Sequence, residues 1–195
     1  MDTVAIPMDE WKTLPWKDME KRVFKLQKRI YQASSRGDVR TAHKLQRLLV
    51  NSWSAKCLAV RRVTQDNKGK RTAGIDGKTA LTQTERIELV KTLNLKLKGK
   101  PLRRVWIPKP GSEEKRPLGI PTIADRALQA LVTMALEPEW EAKFEPNSYG
   151  FRPGRSCHDA IEAIFTAIHY TPKYVLDADI AKCFDRINHQ ALLHR

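Results

Sequence analysis

The sequence predicts an α+β fold, mostly helical, with one β-hairpin and a terminal strand. Three observations carry that expectation. Apolar residues recur at helical spacing through Val23, Leu26 and Ile30, then Leu45, Leu48, Leu49 and Trp53, the stripe an amphipathic helix turns toward a core. Two short runs, Arg103 to Ile107 and Arg116 to Ile120, flank the polar turn Pro108 to Lys115 and read as paired strands. Further on, Tyr174, Leu176, Ala178 and Ile180 alternate with Val175, Asp177 and Asp179, the period of two expected of a half-buried strand. A length of 195 residues suffices for one domain, or a domain with an extension, and a sizeable core.

Charge narrows the function classes. Thirty-six Lys and Arg stand against 22 Asp and Glu, a formal net charge of +14, which is an electrostatic footprint for a polyanion. Nucleic acid leads. An anionic membrane surface fits less well, because no helix pairs a basic face with a bulky, aromatic-rich apolar one. No stretch is apolar enough to span a membrane, and the opening residues lack the basic and apolar regions of a secretory signal, so the expected compartment is the cytoplasm of a bacterial-type cell. Three cysteines, Cys57, Cys157 and Cys183, are odd in number and far apart, which argues for free thiols. A zinc site from Cys157, His158, Cys183 and His189 would match no established spacing.

Taken in order, residues 1–20 read as an arm that docks through Trp11 and Trp16. From Lys21 to about Trp53 two helices are expected, broken at Gly37-Asp38. Their outer faces carry Lys21, Arg22, Lys25, Lys28, Arg29, Arg36, Arg40, Lys44 and Arg47, with Asp38 almost the only acid. Solvated faces normally mix both signs, whereas one-sided charge repels itself unless phosphates neutralise it. RNA contact is the favoured reading. Arg61 to Arg71 reads as a flexible basic loop, and Gly74-Ile75-Asp76-Gly77 as a turn. A phosphate cradle at that turn would lack the usual Gly-Lys-Ser/Thr ending.

An amphipathic helix is expected over 83–98. In the hairpin that follows, Lys109 and Arg116 would stand near the mouth, where a triphosphate could meet one point charge and one bidentate fork. Thr122 and Asp125 resemble a capping box opening a helix with Ala127, Leu128, Leu131, Ala135 and Leu136 on its apolar face; Pro138 should end or kink it. Arg126 and Gln129 are that helix's candidates for nucleic-acid contact. Phe144 to Arg155 is a loop in which Arg152 and Arg155 flank Pro153 and Gly154, a backbone permissive enough to approach a phosphate. Ser156 and Asp159 cap a last long helix with Ile161, Ile164, Phe165 and Ile168.

The run Asp179-Ile180-Ala181-Lys182-Cys183-Phe184-Asp185-Arg186-Ile187-Asn188-His189 resembles the first palm motif of reverse transcriptases of the group II intron type. Arg103 to Pro110, Lys115 to Thr122 and Ser148 to Ser156 resemble that family's upstream motifs, in the same order. The resemblance covers about residues 70–195 firmly and the first 70 loosely. It implies right-hand polymerase-like fingers and a partial palm: a basic helical RNA-binding extension over 1–72, fingers over 73–170, and the beginning of the palm over 171–195. The partners implied are intron and template RNA, primer DNA and an incoming dNTP.

Residue by residue, the resemblance makes Asp179 a catalytic carboxylate and, with the Ile180 carbonyl, a ligand in a two-metal Mg²⁺ site. Asp177 is an outer or structural acid. Lys109 and Arg116 would touch the dNTP phosphates, with Ile180 and Phe184 beside the nucleotide. Phe184 is either the gate that excludes a ribose 2′ hydroxyl or an ordinary core aromatic. Arg103 and Arg104 would lie near the template, with Arg152 and Arg155 over it, while Lys21, Arg22, Lys25, Lys28 and Arg29 grip RNA. The family's aromatic-x-Asp-Asp hairpin occurs nowhere, and no two Asp are adjacent. The expectation is therefore a piece of a larger polymerase, inactive alone; a non-catalytic RNA-binding splicing cofactor and an inert remnant are the alternatives. Oligomeric state is left open.

Overall fold

Gly37 and Asp38 break the first helical run by a specific device. The computed structural model describes residues 11–111, 113–181 and 183–194, without the side chains of Phe184 and Asp185. In it α1 (Trp16–Ser35) ends with Gly37 at φ 73°, Gly37 N donating to Ser34 O at 2.9 Å and Asp38 N to Ala33 O at 2.9 Å. That paired closure satisfies carbonyls the last turn would leave orphaned, and its left-handed residue costs Gly least. Asp38 then caps α2 (Val39–Asn51) by accepting from Thr41 N at 3.0 Å, and this hydrogen bonding holds its carboxyl below the usual range. A third helix, α3 (Trp53–Arg61), follows, its cap Ser52 accepting from Ala55 N at 3.2 Å. It runs on into a π-helical turn, Arg62–Asp66.

Two compact units make up the chain, Met1–Phe144 and Glu145–Arg195. In the first, α5 (Ile123–Glu141) packs against α1, α2 and α3, and α4 (Gln83–Thr92) packs against α3. Ile30, Leu49, Cys57, Val60, Val90, Ala127 and Leu131 are buried in one cluster. Each large aliphatic side chain there contributes about 1.5–3 kcal/mol. Trp11 docks on the same core: it is buried, its Nε1 donates to Gln65 Oε1 at 2.7 Å, and its ring meets Trp16 edge-on at 4.9 Å. The rest of the expected arm, residues 1–10, lies outside the described residues.

One helix ends earlier than expected, and another continues past its proline. The helix expected over 83–98 stops at Thr92, because Leu93 turns extended (ψ 114°) and Asn94 caps the exit, its Oδ1 accepting from Lys96 N at 2.9 Å. Pro138, expected to end or kink α5, lies buried within it. A proline at 138 deprives the Met134 carbonyl of its helical donor. Gln27 of α1 supplies the missing one, Nε2 donating to Met134 O at 3.0 Å. Nearby, Ser34 Oγ donates to Glu139 O at 3.2 Å. The neighbouring helix thus repairs the ladder.

The sheet has two strands among the described residues, β1 (Arg103–Pro108) and β2 (Lys115–Ile120), antiparallel, with Arg103 opposite Ile120 and Ile107 opposite Arg116. In the second unit, Ser156 and Asp159 cap each other and open α6 (Cys157–Ile168), followed by α7 (Cys183–Arg186) and α8 (His189–Leu193). The strand expected over 174–180 is not formed. Residues 172–180 carry no ladder, and Tyr174, Val175, Leu176 and Ile180 are exposed. A strand exists only through the hydrogen bonds of a neighbour, and no described residue offers them here.

Gln27→Leu should lower stability by about 1–2 kcal/mol in urea unfolding, because it orphans the Met134 carbonyl. Pro138→Ala restores an N–H for that carbonyl, so in that background Gln27→Leu should cost clearly less. Equal costs in the two backgrounds would reject the repair.

Candidate nucleic-acid interface

The helical repeat that buries Met19, Val23, Ile30 and Ala33 of α1 forces the residues between them outward. Lys21, Arg22, Lys25, Lys28 and Arg29 are all exposed, as are Arg40, Lys44 and Arg47 on α2. Acids near them are few and partly engaged. Glu20 lies 3.3 Å from Arg61, which also reaches Asp66 at 3.6 Å, and Asp18 lies 3.9 Å from Lys21. Exposed pairs at such distances neutralise little, so the surface keeps a strongly positive potential.

The basic loop after α3 is tied down, where sequence reading expected flexibility. Lys68–Arg71 form a 3₁₀ turn, and Asn67 Oδ1 accepts from Gly69 N at 3.2 Å. Arg126, expected to reach nucleic acid, instead donates from Nη1 to Gly69 O at 2.9 Å and from Nη2 to Thr72 O at 2.6 Å. Gly74 seals the same seam: a Cβ there would stand 2.7 Å from Thr122 Cα, so only glycine fits. Sequence reading also passed over Arg86. It lines a recess of ≈ 450 Å³ with Lys70, Arg71, Thr64 and Thr79. An i, i+3 or i+4 pattern on α4 gives no hint of this, since the other cations come from a loop 15 residues upstream.

On the hairpin, alternation separates neighbours that the sequence reading grouped. Arg103 and Arg116 share a face with Val105, Ile107, Leu118 and Ile120; Arg104 shares the opposite one with Trp106 and Lys115. Arg103, Arg104 and Arg116 are exposed. Lys109 sits past the ladder, its Nζ 2.6 Å from Glu114, and this contact holds the Glu114 carboxyl below the usual range. Leu102 packs onto Gly119, where a Cβ would meet it at 2.7 Å.

In the second unit the two loop arginines divide. Arg152 is buried, and its Nη1 donates to Glu145 O and Ser148 O, each at 2.7 Å. It fastens the turn that holds Phe151 at φ 58°. Arg152, expected over the template, is thus engaged with backbone carbonyls of its own loop. Arg155 stays exposed, its Cζ 5.7 Å from the Tyr149 ring centroid. Asp177 and Asp179 are exposed, and Asp179 Oδ1 accepts from Ile180 N at 2.8 Å. The reading of Phe184 as a gate falls on a side chain outside the described ones.

No group of three or more His, Cys, Asp or Glu gathers among the described residues in a way that could hold a metal ion. One carboxylate and one carbonyl do not fit two Mg²⁺ ions, which need several converging oxygens. Nor do Cys157 and Cys183 join a zinc cluster; both are exposed, and Cys57 is buried with its thiol pushed up to about 12 by burial. No described helix is long and apolar enough to cross a membrane.

Comparison with known proteins matches two consecutive family models. Residues 11–93 match the N-terminal domain of reverse transcriptase, and residues 107–195 match reverse transcriptase (RNA-dependent DNA polymerase). Protein YkfC of Escherichia coli is 38% identical over 161 residues, 77% of this chain and 42% of that protein. Group II intron-encoded protein LtrA of Lactococcus lactis subsp. cremoris is 40% identical over 132 residues, 65% of this chain and 22% of that protein. Maturase-like protein 1 of Euglena gracilis is 32% identical over 195 residues, 92% of this chain and 41% of that protein. The chain therefore spans well under half the length of these relatives.

Arg152→Lys should increase proteolysis between residues 145 and 155 and leave the salt dependence of RNA binding unchanged. Arg155→Gln should do the reverse. A shallower salt dependence from Arg152→Lys would return that residue to the interface.

Proposed function

Since this chain belongs to the reverse transcriptase family, we propose that it is the RNA-gripping N-terminal extension, the fingers and the first palm segment of an RNA-directed DNA polymerase of the group II intron maturase type. The observation that supports the reading best is the exposed, predominantly basic surface of α1 and α2, set outward by the buried stripe beneath it. Lys21, Arg22, Lys25, Lys28 and Arg29 bind intron or template RNA through phosphates. Arg103 and Arg104 approach template from opposite faces of the hairpin. Arg116 and Lys109 meet the phosphates of an incoming dNTP, Lys109 leaving Glu114 to do so.

Asp179 is the one palm carboxylate proposed here, with the Ile180 carbonyl beside it. One carboxylate and one carbonyl are too few for the metal centre of nucleotidyl transfer, so this stretch taken alone is proposed to bind nucleic acid without extending a primer. A second reading, a non-catalytic RNA-binding splicing cofactor, draws on the same basic surface of α1 and α2. The two differ in one experiment. Within the polymerase that carries this region, Asp179→Ala should abolish synthesis and leave RNA affinity within about twofold. Retained synthesis would remove Asp179 from the active site.

Binding itself is tested by titration against salt. Log affinity for RNA should fall linearly with log salt, and Lys21→Gln or Lys28→Gln should each reduce the slope by about one. A wild-type slope near zero would reject the RNA reading.

A further inference from the structure

The recess of ≈ 450 Å³ beside Arg86 gathers cations from separate elements and no acid. Thr64 and Gln65 come from the π-helical turn, Lys70 and Arg71 from the 3₁₀ turn after it, Thr79 from the stretch before α4, and Arg86 from α4. Each donor is held in place by a contact that leaves it capacity to spare. Lys70 Nζ donates to Gln65 O at 2.7 Å, which uses one of its three protons. Gln65 Oε1 accepts from Trp11 Nε1 at 2.7 Å, which leaves Nε2 as that side chain's donor. The Arg86 guanidinium lies 5.9 Å from the Trp11 ring centroid, and its Nε is buried with no hydrogen-bond partner among the described residues. Arg126 Nε is buried and unpaired too, but the other nitrogens of that guanidinium hold Gly69 O and Thr72 O and so fix the turn that carries Lys70 and Arg71. The acid next in sequence, Asp66, lies 3.6 Å from Arg61.

We propose that this recess binds a terminal phosphate group, carried either by a small free phosphate compound or by the end of a nucleic-acid chain. Three cations around one recess repel each other until an anion lies between them. A buried guanidinium N–H without an acceptor costs free energy that a bound oxygen returns. A guanidinium serving only to pack on Trp11 would have no use for Lys70 and Arg71 at the same recess. The charge count selects the ligand. A terminal phosphate carries close to two negative charges and three free oxygens, whereas a phosphodiester inside a chain carries one charge and a carboxylate offers two oxygens. Two guanidinium forks and an ammonium match the first of these. No lining residue is aromatic, so nothing at the recess would stack a base, and the phosphate itself is what is read. None of these residues belongs to the surfaces proposed above for RNA or for dNTP.

The test titrates inorganic phosphate into the full chain at constant ionic strength, followed by calorimetry and by the thermal transition. Binding should saturate, and the transition should rise with phosphate but not with chloride. Arg71→Gln, at an exposed position, should weaken phosphate binding about tenfold and leave the transition without phosphate unmoved. Arg86→Gln should abolish the phosphate effect; should that variant fail to fold, Arg71→Gln still decides. Lys96→Gln removes an equal charge from a residue that does not line the recess, and should change nothing. A second arm compares two oligonucleotides that differ only in a 5′ phosphate. Preference for the phosphorylated one, abolished by Arg71→Gln, assigns a chain end; saturable inorganic phosphate without that preference assigns a free phosphate compound. Either result supports the site. Absence of both, a preference that survives Arg71→Gln, or a loss that Lys96→Gln reproduces would overturn it. RNA binding through α1 and α2 can hold or fail without moving any of these readouts.

Discussion

The first unit hangs on the burial of α5 against α1, α2 and α3. Ala127, Leu131 and Ala135 share one buried cluster with Ile30, Leu49 and Val60, and small and branched side chains let the helices approach closely. Everything proposed to touch nucleic acid in this unit is referred to that packing. Thr122 starts α5 by accepting from Asp125 N at 3.2 Å, so the end of β2 at Ile120 is fixed two residues away. Arg126, one turn in, clasps the carbonyls of the basic loop. Gln27 and Ser34 answer the carbonyls at the far end. One helix therefore sets the position of the basic extension, the loop and the root of the hairpin.

The same packing explains why the charge is one-sided. A helix that buries four positions in five turns must place most of the remainder outside, and here that remainder carries six Lys and Arg against two acids, Asp18 and Glu20. Their mutual repulsion opposes folding at low salt, and the buried stripe has to outweigh it. Such an arrangement is costly without a use. Polyanion binding recovers the repulsion as affinity, because each neutralised phosphate releases its counterions.

Much of this was legible in the sequence where local chemistry decides the outcome. Gly37-Asp38 states both a left-handed stop and a cap, and Thr122 and Ser156 announce their helices three residues ahead of their acids. The β-hairpin follows from its turn residues. What escaped reading depends on partners distant in the chain. Pro138 looks like a helix end until Gln27, more than a hundred positions earlier, donates to the freed carbonyl. Arg152 and Arg126 look like phosphate ligands until backbone carbonyls are found to occupy them. An arginine's sequence neighbourhood reveals its charge; whether a carbonyl already holds that charge is a tertiary fact. The alternation at 174–180 fails for the same reason, since period two describes a strand only when something pairs with it.

Gripping and chemistry also differ in how they are built. Phosphate contacts add residue by residue, so a run of exposed cations on two helices is already an interface wherever it occurs. Nucleotidyl transfer is convergent: carboxylates from separate elements must meet around the ions, and a single one has almost no effect by itself. Asp179 lies exposed with its Oδ1 accepting from the next backbone N–H, and among the described residues no group of three or more His, Cys, Asp or Glu gathers that could hold a metal ion. Binding should accordingly survive changes that abolish synthesis, since the RNA contact proposed for α1 and α2 does not draw on the palm.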